Sequence, residues 1–411
     1  MELFTDRHYS KALVIGAGSG RDIASCVLVT EQLRQIGVQF DLAGFLSPWA
    51  LHKFDGVLEK PVNELTEKSN KKFIPSREGV SIDSYFEPTL YRLNTEFDLG
   101  VGSFYLLSLQ YGTEMLGHEL ERLIKENSYD AVIAVDIGGD ILARKEDYPW
   151  VLTPIVDFSC LSILARLQSE IDSYLTIVAP GTDGELPGQT FQEILRELQR
   201  EGLILAFEEL SRGGSHYKVY ERVNREINLR TGSRSNTFRL IEKVLDSSAN
   251  VLDVREKRVF IEDRKWDLSF PVDLWPSLAK GVYHLDLKGV HSMRDARLIY
   301  KNVLEAFIAL KALDAGGTEL DLSFVAGSID DGGYQDIVFL LTPPDRIEES
   351  VRRDILAYGM QLTARGEIPC SALLAKDRSA IEIPSNLRIH EKEHWGPEVL
   401  FTQIASSERQ R

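Results

Sequence analysis

The chain has 411 residues, 63 acidic against 47 basic, a formal charge of −16, and 43% hydrophobic and 27% charged content. These values predict two or three domains with well-buried cores and exclude disorder, a collagen-like chain and a disulfide-stapled miniature. No basic stripe is present to displace counterions, which argues against nucleic-acid and anionic-membrane partners; the densest cationic stretch, Lys68 to Lys72, reads as a solvated charge run. Cys26, Cys160 and Cys370 lie far apart among apolar neighbours, as small core residues in a reducing compartment do. The beginning, MELFTDRHYSKALVIG, has no leader pattern, and nowhere do eighteen apolar residues run together. A soluble, cytoplasmic protein that acts on a small molecule is expected.

Ala12 to Ile15 is a short apolar run broken by Gly16, after which Ile23, Cys26, Val27 and Leu33 continue at helical spacing to Gly37. With the strand pattern of Val38 to Phe45 this makes a βαβ unit, and therefore parallel strands joined by a right-handed crossover. Residues 48–102 carry Pro61, Pro75 and Pro88 and read as an irregular insertion with a weak strand near Gly79 to Ile82. A helix over Tyr105 to Glu126, a strand at Ala131 to Val135, a helix over Ser159 to Leu167, a strand at Tyr174 to Ala179, a helix over Phe191 to Arg200 and a strand at Leu203 to Phe207 follow. This alternation predicts a doubly wound, Rossmann-like parallel sheet with helices on both faces. Beyond about residue 247 a charged and apolar alternation, Val251 to Phe270, fits an antiparallel hairpin. A strand at Val282 to Leu287, a helix over Arg294 to Leu313, strands at Leu320 to Val325 and Ile337 to Leu341, and a helix over Ile347 to Arg365 complete a second, smaller α/β domain with a mixed sheet. The expected division is thus 1–247 and 248–411, ending in a frayed tail.

Four loops carry residues suited to chemistry. In Gly16-Ala-Gly18-Ser19-Gly20-Arg-Asp22, glycines between a strand and a helix let backbone amides and the positive helix end approach a phosphate. The third glycine of a dinucleotide fingerprint is replaced by Arg21, so the loop equally resembles the glycine loops of methyltransferases and of sirtuin-like NAD folds. Asp41, 25 residues after Gly16, is the candidate for the ribose hydroxyls. Asp136-Ile-Gly138-Gly139-Asp140 sets two carboxylates around a glycine pair after a buried strand, where they are costly unless they bind something or cap a helix. Pro180-Gly181-Thr-Asp183-Gly184-Glu185 follows the next strand; its simplest reading is a turn-rich connection. Arg230 and Arg234, within Asn228 to Asn236, precede a helix and could clamp a phosphate, or the segment could simply be an N-cap by Ser235 or Asn236.

In an open parallel sheet the loops after the strands emerge at one edge, so these loops should line one crevice, with Asp157 beside them. Asp136, Asp140, Asp183 and Glu185 are the candidate acid, base or amine-holding groups, and NAD(P) or another nucleotide is the expected cofactor. Mg2+ is compatible with such a site. No residue is singled out as a metal ligand, and zinc is disfavoured. His390-Glu391-Lys-Glu-His394 matches a zinc-protease pattern, but Gly396 and Pro397 stop the helix that the pattern needs.

The strings VIGAGSGRD, AVDIGGDIL and VAPGTDGEL, in that order, resemble a prokaryotic family of Rossmann-like proteins catalogued only as a domain of unknown function. The resemblance spans Lys11 to Leu245. It implies that Gly16, Gly18, Gly20, Asp136, Gly139, Asp140, Gly181, Asp183, Gly184 and Glu185 occupy family positions, and it transfers no activity. The leading expectation is a small-molecule metabolic enzyme; the alternative is a non-catalytic ligand sensor or scaffold. The second domain and the 48–102 insertion are candidates for closing over the crevice or for a homo-oligomer contact.

Overall fold

The continuous apolar runs of the first half become strands covered on both faces. A computed structural model of the chain describes residues 2–293 apart from 6, 19, 46–59, 71–85, 109–111, 145–153, 168–170, 232–234, 255–257, 262–263 and 268–271, together with 328–330, 335–337, 387–391 and 399–403. After a short helix α1 (Glu2–Thr5) come β1 (Lys11–Gly16), α2 (Asp22–Gln35), β2 (Gln39–Phe45), β3 (Val62–Glu64), α3 (Glu67–Asn70) and α4 (Phe86–Phe97). There follow β4 (Phe104–Leu107), α5 (Gly112–Glu126), β5 (Ala131–Ile137), a 3-10 turn (Asp140–Leu142), α6 (Pro154–Ala165), β6 (Asp172–Val178), α7 (Gly188–Arg200) and β7 (Ile204–Glu209). The helices α8 (Ser215–Thr231) and α9 (Asn236–Asp246) lead to β8 (Leu252–Val254), β9 (Arg258–Ile261), β10 (Arg264–Asp267) and β11 (Val272–Leu274). Next are α10 (Pro276–Ala279), β12 (Gly281–Asp286) and α11 (Leu287–Met293), and then β13 (Ser328–Asp330), β14 (Gln335–Ile337), β15 (Leu387–Glu391) and β16 (Val399–Gln403).

The main sheet has the order β3-β4-β2-β1-β5-β6-β12-β7. Strands β4, β2, β1, β5 and β6 run parallel to one another. β3 is antiparallel at one edge, and β12 is antiparallel to both β6 and β7. Side chains alternate across the sheet. Ala12, Val14, Leu42, Ile133, Val135 and Ile137 join the core cluster that also holds residues of α2, α8 and α9. Leu13, Ile15, Ala43, Val132, Ala134 and Asp136, of the opposite parity, are buried as well. On that second side α6 packs against α5 and α11. The result is the expected doubly wound α/β fold. Helix α2 contacts β1, β2 and β5 as well as α4 and α8, which explains why its residues 22–33 are buried without an exposed polar stripe.

Several expected elements shift. The apolar run Phe104–Leu107 is a strand, paired with β2, and the helix after it starts only at Gly112. The 48–102 segment contains the amphipathic helix α4, and its weak strand at 79–82 falls outside the described residues. The hairpin expected from Val251 to Phe270 is present as β9–β10, while β8 pairs with β11. The strand at 282–287, assigned by pattern to the smaller domain, instead fills the gap between β6 and β7 in the main sheet as β12. Its His284 is buried there, its Nδ1 2.9 Å from Thr176 Oγ1, and burial lowers its pKa to about 4. The helices expected at 294–313 and 347–365 and the strand at 320–325 lie outside the described residues. Residues 390 and 391, the first two of the zinc-protease pattern, end strand β15 and are not helical; the rest of the pattern falls outside the described residues.

Candidate functional site

Going outward from β1, the chain winds one way through β2 and β4 and the other way through β5 and β6. The carboxyl ends of β1 and β5 therefore flank the point where the winding reverses, the usual ligand crevice of such sheets. The β1 loop is bound to β5 through Ala17 N–H donating to Val135 O at 2.8 Å, and the β5 loop to β6 through Gly138 N–H donating to Val178 O at 2.9 Å. Gly138 adopts φ +107°, and a side chain there would run into the Asp183 carboxylate. Glycine is therefore required at this position both by the backbone and by the close approach of the next loop.

Six carboxylates meet at this edge. Asp22 and Asp157 stand in the first turns of α2 and α6, where the helix dipoles favour negative charge. A side chain on Gly18 would meet Asp22 Oδ2 and Asp157 Oδ1, each at 2.5 Å. Asp22 Oδ1 accepts from Ile137 N at 2.9 Å, and Asp183 Oδ1 accepts from Glu185 N at 2.7 Å. Asp136, at the end of β5, is 1% exposed; the Ile141 amide donates to its carboxylate, and its Oδ2 has no hydrogen-bond partner among the described residues. Asp140 and Asp157 are also buried, and one oxygen from each of Asp136, Asp140 and Asp157 lies within 4.8 Å of the others.

Burial raises the pKa of Asp136 and Asp140, and the neighbouring carboxylates add to it: Asp22, Asp157 and Asp183 act on Asp136, and Asp157, Glu185, Asp136 and Asp183 act on Asp140. Asp157 is raised in the same way, first by burial and then by Asp22, and Asp22 is pushed up to about 7. Like charges in a low-dielectric site cannot all ionise, so the cluster holds protons or a cation. Cys160 on α6 sits behind it, its thiol pushed up by burial and by Asp157, Asp136 and Asp22, and so protonated.

The other expected residues are distributed unevenly. Gly20 takes φ +77° beside the Phe86 ring, and Ser19 is outside the described residues. Gly139, at φ +93°, packs on Phe191 and Ile177, and Gly181 N–H donates to Gly138 O at 2.6 Å, while Gly184 N–H donates to Gly181 O at 3.0 Å. Asp41 lies near the start of β2, at the opposite edge of the sheet, where it pairs with Lys11 Nζ at 2.9 Å and accepts from Ser103 N at 2.7 Å and from the Tyr129 hydroxyl. It is not positioned to hold a ribose at the crevice, because distance along the chain does not tell which end of a strand a residue occupies. Arg230 is in the last turn of α8 rather than ahead of a helix, and Glu96 and Glu226 engage its guanidinium. Arg234 is outside the described residues, and Ser235 caps α9 by accepting from Phe238 N at 3.0 Å. Arg21 turns away to Asn224 and Asn228 on α8.

Glu87, which sequence reasoning passed over because α4 was not recognised, lies on α4 with its Cγ 3.4 Å from where a Cβ on Gly44 would stand, near the carboxyl end of β2. It is 5% exposed, and burial pushes its pKa up to about 7 from the usual 4.5. A carboxyl raised on folding contributes stability that is full below pH 4.5 and is lost as the pH rises through 7; at about 1.36 kcal/mol per pH unit the loss reaches about 3 kcal/mol. Glutamine removes that loss but desolvates an amide at about 1 kcal/mol. Glu87→Gln is therefore expected to stabilise by about 2 kcal/mol at pH 8 and not at all at pH 4, and parallel denaturation curves at the two pH values would contradict it.

The family model for a protein of unknown function (DUF1152) matches residues 13–231. The chain belongs to that family. The matched segment runs from within β1 to the end of α8, and so includes all six carboxylates of the crevice. No curated protein matches the chain. Among solved structures, an N,N'-diacetylchitobiose deacetylase from Pyrococcus horikoshii, complexed with its inhibitor MPG, is similar at 13% identity, covering 58% of this chain and 76% of that one with a TM-score of 0.28. Among the described residues no helix is long and apolar enough to cross a membrane.

Proposed function

We propose that this chain is a cytoplasmic small-molecule enzyme whose active site is the crevice outside the carboxyl ends of β1 and β5. A nucleotide-type cofactor or nucleotide-like substrate lies over the Gly16 to Gly20 loop. Asp136, Asp140, Asp183 and Glu185 hold a cationic group or move a proton. The observation that carries this reading is the gathering of carboxylates, whose ionisation is opposed first by burial and then by one another, at the winding reversal of the sheet. A core built only for stability discards such groups, since unpaired buried charge is costly, whereas acid and base chemistry near neutral pH needs carboxyls raised in this way.

The test is thermal unfolding of the full chain with NAD, NADP, S-adenosylmethionine, ATP and ADP in turn, in EDTA and again in excess MgCl2. A ligand at a hundred times its dissociation constant stabilises by about 2.7 kcal/mol, and the absence of a shift with all five removes the nucleotide reading. With the ligand found, Asp140→Asn and Asp183→Asn should keep the shift and lose at least about 100-fold in turnover. Unchanged turnover in both would sink the catalytic assignment.

A further inference from the structure

We propose that Asp136, Asp140 and Asp157 form a binding site for a hard divalent cation, Mg2+, Mn2+ or Ca2+, set between the end of β5, the 3-10 turn and the first turn of α6. Two ligands on opposite sides of a Ca2+ ion stand about 4.6–5.2 Å apart, and around Mg2+ about 4.0–4.2 Å. Three carboxylate oxygens all within 4.8 Å of one another are within the reach of one Ca2+ ion, and side-chain adjustments of a few tenths of an ångström bring them round Mg2+ or Mn2+. Three oxygen donors select Mg2+, Mn2+ or Ca2+ over the softer metals that imidazole and thiolate ligands favour.

A separate observation points to an occupant. Asp136 Oδ2 is sealed from solvent and meets no donor among the described residues, while its carboxylate is fixed from the other side by the Ile141 amide and surrounded by Asp22, Asp157 and Asp183. A buried carboxylate oxygen without a donor is expensive, and a cation supplies what the protein side chains do not. The ion also resolves a conflict in the crevice. Phosphates of a nucleotide-type ligand over the Gly16 loop would face Asp22 and Asp157, which flank Gly18, and a divalent ion coordinating both the protein carboxylates and the phosphates turns that repulsion into attraction. This role of the ion rests on the function proposed above, whereas binding of the ion itself rests only on the three carboxylates.

The experiment is titration calorimetry of the EDTA-stripped and desalted full chain with MgCl2, MnCl2 and CaCl2, without any nucleotide. One site is expected, and Asp140→Asn and Asp157→Asn should each weaken it at least about 10-fold, the loss of one charged ligand from a small coordination shell. Crystals soaked in MnCl2 supply a measurement that no variant has to survive: an anomalous peak enclosed by the three carboxylates is expected. No heat with any of the three salts at millimolar concentration, binding untouched by both substitutions, or manganese peaks only elsewhere would each overturn the site. The calorimetry contains no nucleotide, and the nucleotide panel is run both in EDTA and in excess MgCl2, so failure of one is distinguishable from failure of the other.

Discussion

Gly16→Ala is expected to destabilise the protein by about 4 kcal/mol, above the usual range for overpacking, because the atoms in the way belong to the backbone. Gly16 ends β1 in register with Gly44 of β2 and Val135 of β5. A Cβ there would stand 2.6 Å from the amide nitrogen of Ile23, 2.9 Å from its Cα and 3.0 Å from the carbonyl carbon of Asp22. These atoms form the first turn of α2, which is held by the sheet below and by α8 above and has no direction in which to retreat. A flexible side chain could swing aside at small cost; a helix turn whose amides sit over the strand end cannot. Urea unfolding should show a lower midpoint with an unchanged slope. Gly213→Ala, where an added Cβ meets nothing within 4 Å, is the control and should change stability by less than about 0.5 kcal/mol. Equal stability of the two variants would mean that α2 does not rest on the end of β1.

Asp136→Asn is expected to act in the opposite direction, stabilising the cation-free protein by about 3 kcal/mol at pH 8. The carboxylate is fully buried and faces Asp22, Asp157 and Asp183, so its ionisation is opposed twice, by lost hydration and by like charge. Asparagine keeps an oxygen for the Ile141 amide and offers its neighbours a donor in place of a charge. In saturating Mg2+ or Ca2+ that advantage should shrink by at least about 1.4 kcal/mol, the equivalent of a tenfold weaker ion site in the variant. Thermal unfolding in EDTA and in excess cation reads both effects. Destabilisation in EDTA would show that Asp136 is compensated in the folded state, and the case for an ion at that place would fall with it. A stability gain at the proposed active site fits the general trade in which functional groups are kept where a core would reject them.

How much of this was legible beforehand varies with the kind of signal. The β1-α2-β2 unit, β5, β6 and the glycines between them announce themselves through short apolar runs ended by turn residues. β4 did not, because Phe104–Leu107 runs on into a segment whose leucines recur at helical spacing, and four apolar residues carry no period of their own. α4 was hidden by Pro88, which suggests a break but sits in the helix's first turn, where a missing N–H costs nothing. Asp157 could have been promoted on its place in the first turn after Pro154. Glu87 left no local signal at all, since its approach to Gly44 depends on how α4 lies against the sheet.

By itself the sequence determined that parallel strands alternate with helices and that three loops rich in glycine and aspartate follow β1, β5 and β6, since turn chemistry and hydrophobic period act over a few residues. Tertiary structure alone decided that Asp41 belongs to the far edge of the sheet while Asp22, Asp136, Asp140, Asp157, Asp183 and Glu185 share one crevice, and that β12 lies between β6 and β7. Strand order, register and direction are fixed by pairing between distant segments, and through them so are the company these carboxylates keep and the burial that raises the pKa of Asp22, Asp136, Asp140 and Asp157.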